Sequence, residues 1–263
     1  MQVLANDGAR IDASVSGIRR GDAVVLIHGF PFARAVWDAQ AGALETTHCV
    51  LRPDLRGAGS SEISQGPYLM ETHAGDVAAL LDALGIERAT LVGHSMGGYV
   101  ALAFARMFTE RLERLALVSS RLAADAPEQA ATRRALADRI EREGSIEPVI
   151  EAYLPRMLAP QTRSARAGVV ERTYEIARCN GARGAAGNLR GMALRAPADD
   201  IAEELDVPVL VLAGACDELL SLDEARATAE RFPHGNLEVC AGSGHLPMME
   251  EPERVTAALR AWL

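Results

Sequence analysis

The sequence predicts an α/β fold: a mostly parallel, eight-stranded sheet with helices on both faces and an inserted helical cap. Two observations point to this class. Short apolar runs bounded by turn residues recur along the 263 residues, and segments with apolar residues three or four positions apart lie between most of them. A third observation, the loss of this alternation between residues 121 and 206, indicates the inserted cap.

The strands are predicted from the apolar runs. The first two, "QVLAN" and "IDASVSG", are weak and predict an antiparallel hairpin at the edge of the sheet. The next six are rich in Val and Leu without polar alternation, which is typical of parallel strands covered on both faces. They are "AVVLIHG" at 23–29, "HCVLRPD" at 48–54, "ATLVGHS" at 89–95, "RLALVSS" at 114–120, "VPVLVLAG" at 207–214 and "LEVCAGSG" at 237–244.

The helices are predicted from apolar residues spaced by three and four positions. One such segment stops at Gly85, one follows "GHSMGG", and the last opens with Pro252, a residue favoured at the first position of a helix. The apolar residues are Val77, Leu80, Leu81 and Leu84 in the first segment, Val100, Phe104, Met107 and Phe108 in the second, and Val255, Leu259 and Trp262 in the third.

The stretch 121–206 is rich in Ala, Arg and Glu and contains no convincing strand, so it predicts several consecutive helices. Helices inserted between two strands of one sheet form a cap rather than a separate unit. We therefore expect one domain, with residues 1–120 and 207–263 forming the core and 121–206 the cap or lid. Within it, "GARGAAG" at 181–187 predicts a flexible corner between cap helices.

Composition limits the possible partners. The chain is 49% hydrophobic and 24% charged, and its formal net charge is 27 − 36 = −9, which argues against nucleic acid or an anionic membrane as the main partner. No apolar run approaches the roughly 20 residues of a membrane span, and "MQVLANDGAR" does not resemble a secretory signal. We expect a cytoplasmic protein acting on a small-molecule substrate, and its oligomeric state stays open.

The four cysteines, Cys49, Cys179, Cys216 and Cys240, form no C-x-x-C pair. We expect them to be reduced and mostly buried small apolar residues. His and Cys residues at metal-ligand spacing are also missing from the sequence, so we expect no metal site and no cofactor.

The pentapeptide Gly93-His94-Ser95-Met96-Gly97 fits the pattern G-x-S-x-G and lies between a predicted strand and a predicted helix. In this context the turn presents the serine as a nucleophile, and glycines flank it because side chains there would collide with the neighbouring strand or helix. The helix that starts at Ser95 directs its dipole and the free N–H of Met96 towards developing negative charge. Ser95 is therefore the candidate nucleophile.

A serine needs a base and an acid that orients the base. His245 lies just after the last predicted strand, where its loop can reach the carboxyl ends of the strands, the usual place for ligands in open α/β sheets. Asp217 follows "VPVLVLAGAC" at the end of the adjacent strand, and Glu218 is the rival one position on. We expect Ser95, His245 and Asp217 to act together.

These motifs resemble those of the α/β-hydrolases, in particular the subgroup with a lid, over essentially the whole length apart from the cap. Beyond the serine turn, the chain carries "HGFP" at 28–31, similar to the H-G-x-P loop of the family, and "DLRGAGSSE" from Asp54, similar to the loop that supports it. The resemblance implies that the backbone N–H groups of Phe30 and Met96 bind an oxyanion. His28, His94, Asp54 and Arg56 are then expected to hold the surrounding loops.

The resemblance also bears on the reaction. Epoxide hydrolases and haloalkane dehalogenases of this family use an aspartate where this chain has Ser95, and lipases often have a longer glycine run than Gly29. The expected reaction is hydrolysis of small, largely apolar carboxylic esters, lactones or thioesters through an acyl-enzyme. Perhydrolysis as in cofactor-free haloperoxidases, carbon–carbon bond hydrolysis, and a ligand receptor without turnover remain alternatives. The expected pocket residues are Phe30, Met96, Met192, Leu219, Leu246 and Met248.

Overall fold

The computed structural model describes residues 1–19 and 21–263. Its eight strands form one sheet in the order β1-β2-β4-β3-β5-β6-β7-β8. The strands are β1 Gln2–Leu4, β2 Arg10–Gly17, β3 Ala23–Ile27, β4 Cys49–Pro53, β5 Ala89–His94, β6 Leu112–Val118, β7 Val209–Gly214 and β8 Gly235–Cys240. The predicted fold class is confirmed, and the last strand ends four residues earlier than its apolar run suggested because Ala241–Gly244 forms a turn.

Only the first two strands break the parallel arrangement. β1 pairs antiparallel with β2, and β2 pairs antiparallel with β4, which confirms the edge hairpin. All other neighbouring strands are parallel. The chain leaves β3 towards β4 on one side and later returns to place β5 on the other side, so the strand order reverses between β3 and β5. Clefts at such a reversal are where open α/β sheets bind ligands.

The described residues form twelve α-helices. They are α1 Asp38–Leu44, α2 Met70–Leu84, α3 Met96–Met107, α4 Pro127–Glu143, α5 Glu147–Met157, α6 Pro160–Ala165, α7 Ala167–Arg178, α8 Ala182–Met192, α9 Asp199–Glu204, α10 Leu222–Glu230, α11 Pro247–Glu250 and α12 Pro252–Trp262. The helix α2 ends at Gly85, whose φ of 66° is the left-handed conformation that closes a helix. The helices α4 to α9 all lie between β6 and β7 in the chain.

The centre of the sheet is buried on both faces. Every residue of β3, β5 and β7 is buried, as expected for strands of near-continuous Val and Leu. The helix α3 packs against the strands at this centre, and its Val100 and Phe104 are 0% exposed. The helix α3 thus packs on β3, β5 and β6, and its first residue directly follows Ser95.

The segment "GARGAAG" is part of the helix α8 and not a flexible corner, so that prediction was wrong. The glycines of α8, including Gly191 beyond this segment, serve a close approach between the helix and the loop 57–68. A Cβ atom at Gly184 would lie 1.9 Å from the carbonyl oxygen of Gly57, and one at Gly191 would lie 1.6 Å from the carbonyl oxygen of Tyr68. The glycines thus mark a tight helix contact that is invisible in the local sequence pattern.

The cysteines depart in part from expectation. All four have free thiols, and Cys49 and Cys240 are buried, but Cys179 is exposed and Cys216 is half-buried. Burial raises the pKa of Cys240 to about 11, which keeps this thiol protonated at neutral pH. Over residues 1–19 and 21–263, no helix combines the length and the apolar character that a membrane crossing requires.

The close approach of α8 predicts that Gly191→Ala destabilises the fold, because the new methyl group meets the Tyr68 carbonyl. We expect a loss of about 3 kcal/mol in the free energy of unfolding, the upper end of the usual cost of overpacking. Gly75→Ala in α2 is the control, because nothing lies within 4 Å of its added Cβ. That variant should be stabilised by up to about 1 kcal/mol through helix propensity. Urea denaturation of both variants measures the difference, and equal stabilities would contradict the tight contact.

Candidate active site

Ser95 occupies a strained turn between β5 and α3. Its φ is 50° and its ψ is −113°, a backbone conformation that residues other than glycine rarely adopt. The turn is held by two hydrogen bonds, since the Ser95 N–H donates to the Val118 carbonyl at 2.8 Å and the Ser120 hydroxyl donates to the Ser95 carbonyl at 2.9 Å. Backbone strain of this kind persists only where the surroundings impose it.

The glycines around Ser95 are required by space, as the sequence predicted. A Cβ atom at Gly93 would lie 2.3 Å from the carbonyl oxygen of Gly97. One at Gly97 would lie 2.4 Å from the carbonyl oxygen of Ile27 in the adjacent strand β3. The serine can stand in this turn only because both flanking positions lack a side chain.

The structure brings the three predicted polar side chains together. The Ser95 Oγ and the His245 Nε2 are 2.9 Å apart, and the His245 Nδ1 is 2.7 Å from the Asp217 Oδ2. The Asp217 side chain is 0% exposed and that of His245 is 5% exposed. A hydroxyl bonded to an imidazole that a carboxylate orients can lose its proton as it attacks a carbonyl carbon.

Asp217, and not its neighbour Glu218, contacts the imidazole. The second oxygen of Asp217 accepts the backbone N–H groups of Leu219 at 2.7 Å and Leu220 at 3.1 Å, which fixes the carboxylate. Burial acts to raise the pKa of Asp217, but the charge of His245 and these hydrogen bonds outweigh it and hold the pKa below its ordinary value. Glu218 points away from the imidazole, and its exposed carboxylate lies at the cavity wall, 3.1 Å from Arg163.

The loop that carries His245 is held by two glutamates that the sequence analysis did not identify. The buried Glu250 carboxylate accepts the N–H groups of Gly244 and Ala159, both at 2.8 Å. Glu251 accepts the N–H of Gly242 at 2.8 Å. The His245 N–H itself donates to the carbonyl of Met157 at 2.7 Å. The last residue of α5, Met157, and Ala159 just after it therefore help to hold the loop that carries the imidazole.

The other two histidines near the site make backbone hydrogen bonds. His28 donates from Nδ1 to the Gly29 carbonyl at 3.0 Å and accepts the Leu55 N–H at Nε2 at 2.9 Å. His94 donates to the carbonyl of His245 at 2.9 Å. Burial lowers the pKa of His94 to about 3, so this ring is neutral at physiological pH. These contacts agree with the expected scaffolding role.

Asp54 and Arg56 tie loops together. Asp54 accepts the N–H groups of Arg34 and Ser60, both at 2.9 Å. The Arg56 guanidinium binds Asp76 of α2 and Asp7 of the β1–β2 turn, both at 2.6 Å. The two side chains fix the loop after β4, which lies against the "HGFP" loop.

Two backbone N–H groups at the site lack a partner. Phe30 follows β3 and Met96 opens α3, and neither N–H has an acceptor among residues 1–19 and 21–263. A buried N–H without an acceptor is rare in folded proteins. Phe30 and Met96 follow the ends of the neighbouring parallel strands β3 and β5, and Met96 comes directly after Ser95.

A cavity of about 340 Å³ opens beside Ser95 and His245. Of the expected pocket residues, Phe30, Met192 and Leu219 line it. Leu246 and Met248 do not: they are 0% and 1% exposed and pack in the core beside the site. Leu246 caps the short helix α11 and Met248 lies within it, and both side chains turn inwards. Met96 lies against a much smaller void beside Phe30.

The cavity wall is more polar than the sequence predicted. Besides apolar residues it contains three arginines, two tyrosines, a glutamate and several other polar residues. These are Arg121, Arg133 and Arg156, Tyr99 and Tyr153, Glu218, Ser119, Gln129 and Thr132. Tyr99 could have been found, since it lies one helical turn after Ser95, but the residues of α4 and α5 carry no pattern that places them at the site.

Metal binding finds no support in the described residues. Outside position 20, no three His, Cys, Asp or Glu side chains are grouped as a metal site would require.

Comparisons with known proteins agree with this architecture. A family model described as the alpha/beta hydrolase fold matches residues 22–252. The chain is 30% identical over 227 residues to 3-oxoadipate enol-lactonase 2 of Acinetobacter baylyi. This match covers 86% of this chain and 83% of that enzyme.

Two solved structures are similar over their full length. A thermophilic esterase from Thermogutta terrifontis, solved with malate bound, has a TM-score of 0.96 and 37% identity, covering 100% of this chain and 97% of that one. The enol-lactonase from Burkholderia xenovorans LB400 has a TM-score of 0.92 and 26% identity, and the match covers 100% of this chain and 99% of that one.

The position of Asp217 predicts that Asp217→Asn slows the reaction of Ser95 with a fluorophosphonate probe. An amide cannot stabilise the imidazolium and favours the wrong tautomer, so we expect a loss on the order of 10³ to 10⁴ in the labelling rate constant. Glu218→Gln is the matched control and should change it by less than about threefold, since this side chain forms only exposed ion pairs. A larger loss of labelling rate in Glu218→Gln than in Asp217→Asn would show that Glu218, and not Asp217, orients the imidazole.

Proposed function

The chain belongs to the α/β-hydrolase family, and on that basis we propose that it is a serine hydrolase that cleaves carboxylic esters or lactones through an acyl-enzyme. One observation carries this proposal above the others. Ser95, His245 and Asp217 form a continuous hydrogen-bonded chain that ends at a cavity. The relatives named esterase and enol-lactonase support the bond type, because both act on a carbonyl carbon bonded to oxygen.

In the first step, the Ser95 Oγ attacks the carbonyl carbon of the substrate while the Nε2 of His245 takes the serine proton. The buried carboxylate of Asp217 stabilises the positive charge that forms on the imidazole. The oxygen of the tetrahedral intermediate becomes negative and accepts the N–H groups of Phe30 and Met96. Donors of this kind each contribute a factor of roughly 10² to 10³ in kcat.

The intermediate then collapses. The carbon–oxygen bond to the leaving group breaks, and His245 donates its proton to that oxygen, so an alcohol or enol departs and Ser95 is acylated. In the second half, His245 removes a proton from a water molecule that attacks the acyl carbon. The bond to Ser95 breaks, the proton returns to its Oγ, and the carboxylic acid is released.

We propose that residues 121–206 act as a cap that encloses the substrate. The wall of the cavity includes side chains from α4, α5 and α8 as well as from the sheet core. With a volume of about 340 Å³, the cavity lies at the lower end of pockets that bind small molecules, roughly 300–1,000 Å³. Such a space suits a small acyl group rather than a long fatty chain.

The nucleophile is tested by Ser95→Ala. We expect kcat for a p-nitrophenyl ester to fall on the order of 10⁶-fold at unchanged stability, since one half-buried hydroxyl is removed. Ser119→Ala is the matched control, because Ser119 also lines the cavity but its hydroxyl makes no hydrogen bond to any described residue. Mass spectrometry of the fluorophosphonate adduct should place the label on Ser95. Retained turnover in Ser95→Ala, or labelling of Ser119, would contradict the mechanism.

The size of the cavity predicts a limit on acyl length. Each buried CH₂ group contributes about 0.8 kcal/mol until the chain meets the cavity wall. We expect kcat/KM for p-nitrophenyl esters to rise from acetate to an optimum at about four to six acyl carbons and to fall at least about tenfold by twelve. A steady rise to palmitate would show that the cap opens widely and that the substrates are lipids.

A further inference from the structure

We propose that the substrate carries a free carboxylate and that Arg133 in the cavity wall binds it. This inference rests on the proposed ester or lactone hydrolysis and names the class of substrate for that same site. It starts from a buried cluster of three charged side chains, Asp125, Arg133 and Arg195, which we call the arginine cluster.

The arginine cluster is closely bonded. The Nε of Arg133 donates to the Asp125 carboxylate at 2.5 Å, and an Nη of Arg195 donates to its other oxygen at 2.6 Å. The exposed fractions of the three side chains are 1% for Asp125, 8% for Arg133 and 4% for Arg195. All three charges are therefore almost entirely removed from water.

Charge does not balance within the cluster. Burial acts to raise the pKa of Asp125, but Arg133 and Arg195 outweigh it and keep the pKa below its ordinary value, so the aspartate is ionised. Two guanidinium groups, which do not lose their protons in proteins, face one carboxylate and leave a net charge of +1. An uncompensated buried charge is costly, and a negative group placed against it removes that cost.

Arg133 is the member that can reach a ligand. It lines the cavity together with Ser95 and His245. Among the described residues, two of its N–H groups donate to the Asp125 carboxylate, and one donates to the Tyr153 hydroxyl at 3.4 Å. Because arginine has five N–H donors, 5 − 3 = 2 remain. Two free donors of a planar guanidinium match the two oxygens of a carboxylate.

Arg195 is occupied elsewhere. Its guanidinium lies 3.9 Å from the centroid of the Tyr99 ring, in a cation–π contact. It also donates to the carbonyl of Ala123 at 2.5 Å. Arg195 is absent from the cavity wall in the described part of the chain, so it supplies positive charge from behind while Arg133 faces the substrate.

The remaining charged side chains of the wall and their partners also sum to +1, since Arg121, Arg156 and Arg163 face Glu218 and Glu224, but these side chains are 22–56% exposed and water screens their charge. Arg121 pairs with Glu224 at 3.0 Å. Glu218, the acid of the described wall, pairs with Arg163 at 3.1 Å and lies 4.0 Å from Arg156. The arginine cluster is thus the buried source of positive charge beside the cavity. A charge of +1 is matched by a carboxylate, whereas a phosphate monoester carries about −1.5 to −2 at neutral pH.

The test compares esters that differ only in this charge. Ethyl hydrogen glutarate is paired with ethyl 5-oxohexanoate, in which a methyl ketone replaces the carboxylate. A second pair, 3-carboxypropyl butyrate and 4-oxopentyl butyrate, places the group on the alcohol half. For at least one pair we expect kcat/KM of the charged ester to exceed that of the neutral ester by roughly 10- to 100-fold, the usual effect of hydrogen bonds to a charged group.

Variants locate the origin of the preference. In Arg133→Gln the ratio of kcat/KM for charged over neutral ester should fall towards one, and in Arg133→Lys, which keeps the charge, part of it should remain. Arg134→Gln is the matched control, since Arg134 is the exposed neighbour on α4. It should leave the ratio unchanged. The wild-type ratio decides the question even if a variant of the cluster is unstable.

The outcomes separate the two proposals. Neutral esters cleaved as well as charged ones by the wild type, in both pairs, would overturn the carboxylate inference and leave ester hydrolysis standing. A preference that survives in Arg133→Gln would also overturn it. The absence of turnover for all four esters, together with no labelling of Ser95 by the fluorophosphonate, would overturn the hydrolase proposal and this inference with it.

Discussion

The hydrogen bond between Ser95 and His245 joins residues 150 positions apart, and most of the architecture serves to make it possible. Ser95 lies in a turn with a φ of 50°, a backbone conformation that is unfavourable for serine. Hydrogen bonds to the Val118 carbonyl and from the Ser120 hydroxyl hold this turn. The imidazole needs a loop that reaches back over the sheet. That loop is held by the carboxylates of Glu250 and Glu251.

The helical insertion takes part in this arrangement and does not only cover it. The Met157 carbonyl accepts the N–H of His245, and the Ala159 N–H binds the same buried glutamate that holds Gly244. A shift of the segment after α5 would therefore move the imidazole as well as the cavity wall. The cavity wall and the position of the imidazole are thus linked through these few backbone contacts.

Electrostatics divide the site into two regions. Around Ser95, burial keeps His94 uncharged, and the Asp217 carboxylate is hydrogen-bonded to His245. On the side of the helical insertion, the arginine cluster leaves one buried positive charge beside the cavity. A substrate with a reactive carbonyl at one end and a negative group at the other would complement both regions at once, which orients it as well as binds it.

The sequence by itself determined the fold class, the eight strands, and the order of Ser95, Asp217 and His245 at strand ends. These features follow from local physics. Buried parallel strands need continuous apolar runs, and the serine turn leaves no space for side chains at the glycines before and after it.

Only the tertiary structure decided which cap residues form the cavity, because helices without a sheet register can pack in many ways. Asp125, Arg133 and Arg195 lie apart in the chain and meet only after α4 and α8 have packed. The glycines of α8 predicted a corner because glycine-rich segments usually form turns. In the structure they allow a close contact with Tyr68, which is distant in the sequence. Leu246 and Met248 were misplaced because the direction of a side chain within a short helix depends on what that helix packs against.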